Sequence, residues 1–187
     1  FTINEALLNS SFLPGTVTYT IKSYSADDCE GTTTTVIITV DPAVTVAYAG
    51  PNEHICDTET YQLKGNKANV GTGKWELVSA SLGSPQITDD TNFQSTVTGL
   101  QTNGVYIFKW VISPTGTCPG TESQVTISVT PKPVVDPIAD KTICHSNSAG
   151  IVLTSDIPTR FTWTSHASST DITGNTNGTG STSVIAG

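Results

Sequence analysis

Four cysteines, at positions 29, 56, 118 and 144, are the residues of this 187-residue sequence with the most evident chemistry. No two of them form a Cys-x-x-Cys pair, the spacing that is typical of zinc sites. We therefore expect Cys29, Cys56, Cys118 and Cys144 to form structural disulfides in an oxidising compartment outside the cytoplasm.

Two acidic turns are the other candidates for a chemical site. Asp27 and Asp28 lie beside Glu30, and Asp89 and Asp90 lie beside Asn92. Calcium takes about six to eight oxygen ligands, but Asp and Asn also favour turns because they hydrogen-bond to nearby backbone. We interpret both stretches as turns and expect neither a metal nor any other cofactor.

The three histidines, His54, His145 and His166, fall on presumed loops, far apart in the sequence. No serine, cysteine or carboxylate accompanies them in a recognisable catalytic order. The sequence also lacks a Gly-x-Ser-x-Gly elbow, a His-Glu-x-x-His helix and a glycine-rich phosphate loop. We predict that the chain is not an enzyme.

The charge balance excludes two classes of partner. Eight Lys and Arg residues stand against sixteen Asp and Glu residues, which gives a net charge of −8. Nucleic acids and anionic membranes attract clustered basic residues, so we expect neither as a partner. The longest apolar runs, such as 36–40, have the length of a strand, whereas a membrane-spanning helix needs about 20 apolar residues.

The elements that must carry these residues are strands. Apolar and polar residues alternate over 106–112 and 125–129, as in half-buried antiparallel strands, and turn residues separate these runs. Residues 16–21 and 32–40, which flank a hairpin turn, are also predicted to be strands. Large aromatic residues on such strands are typical of a sandwich core, and a tyrosine near a strand start is typical of a corner pinned by its hydroxyl. We assign the core role to Trp75, Trp110 and Trp163 and the corner role to Tyr19 and Tyr106.

A repeat organises the chain. Nineteen residues separate Cys56 from Trp75 and also Cys144 from Trp163, and a proline follows both Cys29 and Cys118 by thirteen residues. Recurrence of a fixed motif order indicates an array of small sandwich modules. We predict that residues 42–133 form a complete module, that 1–41 form the C-terminal half of another type, and that 134–187 form the N-terminal half of the next.

Half a sandwich exposes an apolar face and unpaired strand edges. The missing halves are therefore expected from adjacent repeats of the same long chain or, as the second choice, from neighbouring copies. Residues 181–187 followed by 1–19 read as the uninterrupted middle of one module.

The cysteine pairing has two interpretations. In the first, Cys56 pairs with Cys118 within the complete module, and Cys144 pairs with the Cys29 equivalent of the following period. In ordinary immunoglobulin topology, however, these positions lie at opposite poles, and a disulfide needs Cα atoms within about 7 Å. In the second, Cys56 forms a disulfide with the last hairpin of the next module and so links the two modules covalently.

The motifs of the complete module, among them Ala49-Gly50-Pro51-Asn52, Gly73-Lys74-Trp75, Gly104-Val105-Tyr106 and Gly116-Thr117-Cys118, resemble Ig-like repeats of very large secreted surface proteins of Bacteroidota. The split module, with Thr142-Ile143-Cys144, Phe161-Thr162-Trp163 and residues 14–21, resembles their PKD-like repeats. The resemblance implies an all-β chain of tandem Ig-like and PKD-like sandwiches with Greek-key antiparallel sheets. It also implies a gliding-motility type of adhesin, exported by type IX secretion and associated with the outer membrane.

The function that this resemblance implies is a repeat segment of an extracellular stalk or filament that supports adhesion or gliding. The alternative is a carbohydrate-binding or other ligand-binding module of a secreted protein, which would present solvent-facing aromatic residues on loops. The tryptophans fall on predicted strands instead. The sequence does not identify any surface glycan or protein ligand.

Overall fold

The structure is a computed structural model that describes residues 2–181. Within those residues it contains eleven strands and no helix, so the predicted all-β fold is confirmed. No helix in this described part is long and apolar enough to cross a membrane. The chain divides into two compact units between Thr130 and Pro131. The strands are β1 (Gly15–Tyr24), β2 (Glu30–Val40), β3 (Glu53–Cys56), β4 (Thr60–Gln62), β5 (Thr72–Ala80), β6 (Gln86–Ile87), β7 (Thr96–Thr98), β8 (Val105–Ser113), β9 (Thr121–Thr130), β10 (Arg160–Trp163) and β11 (Gly178–Ser181).

Strands β3 to β9 form a sandwich, which we call the middle module. One sheet has the order β3-β9-β8-β5, and the other has the order β4-β7-β6. All neighbours are antiparallel except β3 and β9, which run parallel. Seven strands in two sheets with this order make an immunoglobulin-like sandwich whose first strand lies beside its last.

Two tryptophans fill the centre of the middle module. Trp75 and Trp110 face each other across β5 and β8, with ring centroids 5.0 Å apart and planes tilted by 44°. Trp75 Nε1 donates to the Phe93 carbonyl at 3.2 Å. Gly73 leaves the space that the Trp110 ring occupies, because a Cβ there would collide with the ring. Such tilted aromatic pairs add to the stability that burial of their area provides.

The first two strands form a separate hairpin with the same register as the last hairpin of the middle module. Val17 pairs with Ile38 in β1 and β2, and Tyr106 pairs with Ile127 in β8 and β9. Both members of the second pair lie 89 positions after those of the first. The same offset relates Gly15 to Gly104, Cys29 to Cys118 and Pro42 to Pro131. The hairpin is therefore the structural counterpart of β8 and β9.

The hairpin joins the middle module at Asp41. Its carboxylate accepts the backbone N–H of Thr117 at 2.7 Å and the Thr117 hydroxyl at 2.8 Å. Thr117 lies in the turn between β8 and β9, so the end of β2 meets that turn. Pro42 follows in a buried position and removes the backbone donor that would have continued β2.

The second unit, after Thr130, holds a smaller amount of regular structure. Strands β10 and β11 pair antiparallel, and Phe161 on β10 is buried. The backbone N–H of Asp136 donates to the Thr154 carbonyl at 3.0 Å, and in the middle module the backbone N–H of Asn66 donates to the Tyr48 carbonyl at 3.0 Å, so the equivalent pair is bonded with the donor on the other residue. An offset of 88 positions relates these two pairs, as it relates Trp75 to Trp163. The unit is therefore the counterpart of the front of the middle module.

The tyrosine corner was predicted for two residues, and the structure places only Tyr106 there. The Tyr106 hydroxyl accepts the backbone N–H of Gln101 at 2.7 Å. Tyr19 instead donates its hydroxyl to the Glu5 carboxylate at 3.0 Å. The hairpin register puts Val17, rather than Tyr19, at the position of Tyr106. The prediction of a corner role for Tyr19 was therefore wrong, because it assumed an alignment that is shifted by two residues.

Tyr106→Phe should lower the free energy of unfolding by about 1 kcal/mol, because it removes a hydrogen bond to part-buried backbone without changing the ring. Tyr19→Phe is the matched control and should change it little, since the contact with Glu5 lies at the surface. Urea denaturation followed by tryptophan fluorescence measures both. Equal effects of the two substitutions would contradict the corner role of Tyr106.

Candidate functional site

The most unusual surface of the molecule is one face of the first hairpin. It consists of Val17, Tyr19, Ile21, Val36 and Ile38, which we call the hairpin face. Their counterparts at the 89-residue offset are no more than 2% exposed in the middle module. On the hairpin face, Ile21, Val36 and Ile38 are 40%, 43% and 39% exposed, and the other two are half-buried. The same pattern of side chains thus forms a core in one place and a surface in the other. The counterparts, in order, are Tyr106, Phe108, Trp110, Val125 and Ile127.

The opposite face of the hairpin has a different composition. Because side chains alternate along a strand, Thr16, Thr18 and Thr20 share that face with Thr35 and Ile37. Threonine suits an outer, solvated sheet face, and the counterpart of Ile37 in the middle module is Thr126, which lies outside the core. The hairpin is therefore amphipathic, with a defined inner side.

The segment before β1 covers the hairpin face only in part. Ile3, Glu5 and Leu7 line an open groove together with every residue of the hairpin face except Val17. The hydrogen bond to Glu5 raises the pKa of Tyr19, because the phenolate would face a carboxylate.

Both outer edges of the hairpin also lack a partner strand among residues 2–181. In the middle module, β8 pairs with β5 along one edge, and β9 pairs with β3 along the other. The sheet of β1 and β2 has two strands only. Its free N–H and C=O groups can accept further strands.

The second unit exposes a matching set of apolar residues. Trp163 is 40% exposed and Ile151 is 62% exposed, whereas their counterparts Trp75 and Leu63 are fully buried. The predicted core role of Trp163 is therefore not realised in a single copy. Trp163 Nε1 donates to the Thr176 carbonyl at 3.2 Å, and its ring lies against Gly178 of β11. The physical reason is that no strand equivalent to β8 covers this ring within the described residues.

The structure separates Cys56 and Cys118 instead of joining them. All four cysteines are free thiols, and Cys118 alone is half-buried. Cys56 lies beside Thr130 at the end of β9, and Cys118 lies in the turn just before β9 begins. Ten residues of strand span about 30 Å, far beyond the Cα separation of about 7 Å that a disulfide allows. A Cys56–Cys118 bond within the module was therefore the wrong alternative.

The carboxylates of the second acidic turn, Asp89 and Asp90, contact neighbouring protein groups. Asp89 accepts the backbone N–H and the hydroxyl of Thr91 at 3.0 and 2.7 Å, and these bonds lower its pKa. Asp90 forms an ion pair with Lys74 at 3.2 Å. Within residues 2–181 no three His, Cys, Asp or Glu side chains form a group that could hold a metal. His54 lies on β3, not on a loop as predicted.

The bond between Asp41 and Thr117 gives a pH prediction. Hydrogen bonds from Thr117 lower the pKa of Asp41 below its ordinary value of 3.8. A lowered folded-state pKa contributes stability above that ordinary value, and the contribution disappears as the pH falls through the folded-state pKa. Asp41→Asn should therefore lose less stability than the wild type between about pH 4 and pH 2.

Thermal unfolding across this pH range, followed by circular dichroism, measures the difference. Asp27→Asn, in an exposed hairpin turn, is the matched control and should lose stability as the wild type does. An identical acid profile for Asp41→Asn and the wild type would contradict the role of this carboxylate.

Comparison with known proteins agrees with the PKD-like resemblance of the first segment. The family profile described as a PKD-like domain matches residues 1–44, which carry the hairpin face. A solved structure titled "Solution structure of the PKD domain from KIAA 1837 protein" is similar, with a TM-score of 0.41 and 22% sequence identity. The similarity covers 50% of this chain and 92% of that chain. No curated protein matches. The described chain is thus an all-β protein whose residues 1–44 match the profile of a PKD-like domain.

Proposed function

We propose that this chain is a structural repeat segment of an extracellular stalk or filament, in which each split module is completed by the following repeat. One observation carries the proposal: side chains that form the core of the middle module recur, in the same register, on an uncovered hairpin face. A surface of this kind in water favours a partner that removes it from solvent.

The middle module indicates what kind of partner fits. There the counterparts of the hairpin face pack against the front half of the module, which contributes Leu63 and Trp75 to the core. The β5 strand of that half pairs with β8, and its β3 strand pairs with β9. A completed split module needs the same two strands beside β1 and β2.

Residues 134–181 of a second copy supply that front half. They repeat the 19-residue spacing from cysteine to tryptophan and expose Ile143, Ile151 and Trp163 at the positions of Ile55, Leu63 and Trp75. Strand β10 begins 88 positions after β5. It pairs with β11 along one edge, which leaves its other edge for β1 of the partner. The expected register places Trp163 beside Ile21, as Trp75 lies beside Trp110.

The wider setting of the proposal follows from the module type. A PKD-like segment and a surface rich in Thr, Ser and Gly fit an extracellular adhesion protein. The resemblance to Bacteroidota repeats extends the proposal to a gliding-type surface adhesin that is exported by type IX secretion and retained at the outer membrane. In this role the chain is not an enzyme, and its partners are adjacent repeats. Trp75 and Trp110 are buried, which disfavours a tryptophan platform for sugars on the middle module.

The docking surface can be tested by self-association of the 187-residue chain. Each copy carries one hairpin face and one segment 134–181, so contacts between copies are head-to-tail and should give open oligomers that grow with concentration. Ile38→Glu should abolish them, because it places a charge on the hairpin face. Ile37→Glu, on the opposite face, is the matched control and should leave them intact. Sedimentation velocity measures the species.

Mixing two defective variants makes this test independent of folding defects. A chain with Ile38→Glu retains its segment 134–181, and a chain with Trp163→Glu retains its hairpin face. Each should be monomeric alone, and the mixture should form dimers and nothing larger. Absence of dimers in the mixture, or loss of association in Ile37→Glu, would overturn the docking of these two surfaces.

The length of fused copies tests the proposed stalk role. Fusions of two, four and six copies, each joined from residue 187 to residue 1, should be rods whose contour length in negative-stain electron microscopy rises in proportion to copy number. A repeat array in which each module contacts only its neighbours has this property. Compact particles whose diameter grows only slowly with copy number would contradict the stalk role.

A further inference from the structure

We propose that the four cysteines link consecutive repeats, through one bond from Cys144 of a copy to Cys118 of the next and a second bond from Cys56 to Cys29 of the next. The proposal rests on the completed split module argued above. It accounts for four free thiols in one copy, because every cysteine has its partner in a neighbouring copy.

The middle module shows where the first cysteine of a module lies. Cys56 is in register with Thr130, the last residue of β9, and the Thr130 hydroxyl donates to Cys56 Sγ at 3.9 Å. The first cysteine thus lies at the pole where the chain leaves the module.

The joint after the hairpin shows where the second cysteine of the next module lies. Cys118 Sγ is 3.9 Å from the backbone oxygen of Asp41. Asp41 directly follows β2 and is the counterpart of Thr130 at the 89-residue offset. The residue at the end of a module therefore contacts the turn cysteine of the module that follows.

Together, the contact of Cys56 with Thr130 and the contact of Cys118 with Asp41 place Cys144 of one copy near Cys118 of the next. Cys144 is the counterpart of Cys56, so completion of the split module places it beside Asp41 of the next copy, where Cys118 already lies. Neighbouring strands are about 4.8 Å apart, which is compatible with the Cα separation of a disulfide. The same relation at Thr130 brings Cys56 to the turn of the next split module, which holds Cys29.

The reaction is a two-electron oxidation with a low-molecular-weight disulfide as the oxidant. One protein thiolate attacks the oxidant and releases one small thiol, and the second thiolate then attacks the mixed disulfide and releases the other. One S–S bond of the oxidant breaks, one forms between the repeats, and the two electrons leave on the two released thiols. An oxidising extracellular compartment supplies such disulfides.

A fusion of two whole chains, joined from residue 187 to residue 1, tests the pairing. Serine replaces all cysteines except a chosen two, and oxidised glutathione is added. Fusions that retain Cys144 in the first copy with Cys118 in the second, or Cys56 with Cys29 likewise, should lose both titratable thiols. Non-reducing peptide mass spectrometry should show the cross-linked pair.

Two control fusions keep pairs that the proposal excludes. One retains Cys56 and Cys118 within the first copy, and the other retains Cys144 of the first copy with Cys29 of the second, which belong to the same completed module. Both should end as mixed disulfides with glutathione, and peptide mass spectrometry should show no cross-link between the two cysteines. Rapid bond formation in a control fusion, or none in the two proposed pairs, would overturn the inference.

Amide hydrogen exchange on the cysteine-free fusion separates this inference from the proposed function. Slow exchange in β1 and β2 of the second copy, relative to the first, reports a completed module. Slow exchange without either proposed bond overturns the cysteine pairing and leaves the function standing. Equal exchange in the two copies overturns the completed module itself, and with it the pairing.

Discussion

The apolar interior of a β-sandwich exists only where two sheet faces meet, and this requirement governs the molecule. In the middle module the requirement is met: Trp75 and Trp110 pack together, and fourteen residues form one buried cluster. In the hairpin and in the second unit, equivalent side chains have no opposing face within residues 2–181. The distribution of burial, rather than any reactive group, therefore identifies the candidate site.

The repeat becomes clearer in three dimensions than in the sequence. Tyr19 was predicted to be equivalent to Tyr106, although Tyr19 precedes its cysteine by ten residues and Tyr106 by twelve, and the strand registers align Tyr19 with Phe108. The reason is that inward-facing positions recur at every second residue. An alignment shifted by two residues therefore preserves the alternation, and the sequence pattern alone does not reveal the shift. Backbone pairing removes the ambiguity, because Val17 pairs with Ile38 as Tyr106 pairs with Ile127.

Much of the fold could be predicted from alternation and turn residues, because these patterns are local. Strands at 106–112 and 125–129 and the closing proline after β2 are examples of such local signals. Three features depend on distant parts of the chain and could not be predicted reliably. Cys56 and Cys118 are kept apart by the full length of β9, the exposure of Trp163 depends on whether a second sheet is present, and His54 belongs to a strand that only β9 holds in place. The prediction that 181–187 continue into 1–19 falls partly on residues 1 and 182–187, which lie outside the described residues.

The parallel pairing of β3 with β9 has a mechanical consequence. Because the first and last strands of the middle module run in the same direction, the chain enters at one pole and leaves at the other. Tension along the chain would pull β3 and β9 past each other lengthwise and load the hydrogen bonds between them together, rather than opening them one at a time. The strand order of this sandwich is therefore that of a link suited to bearing load in shear.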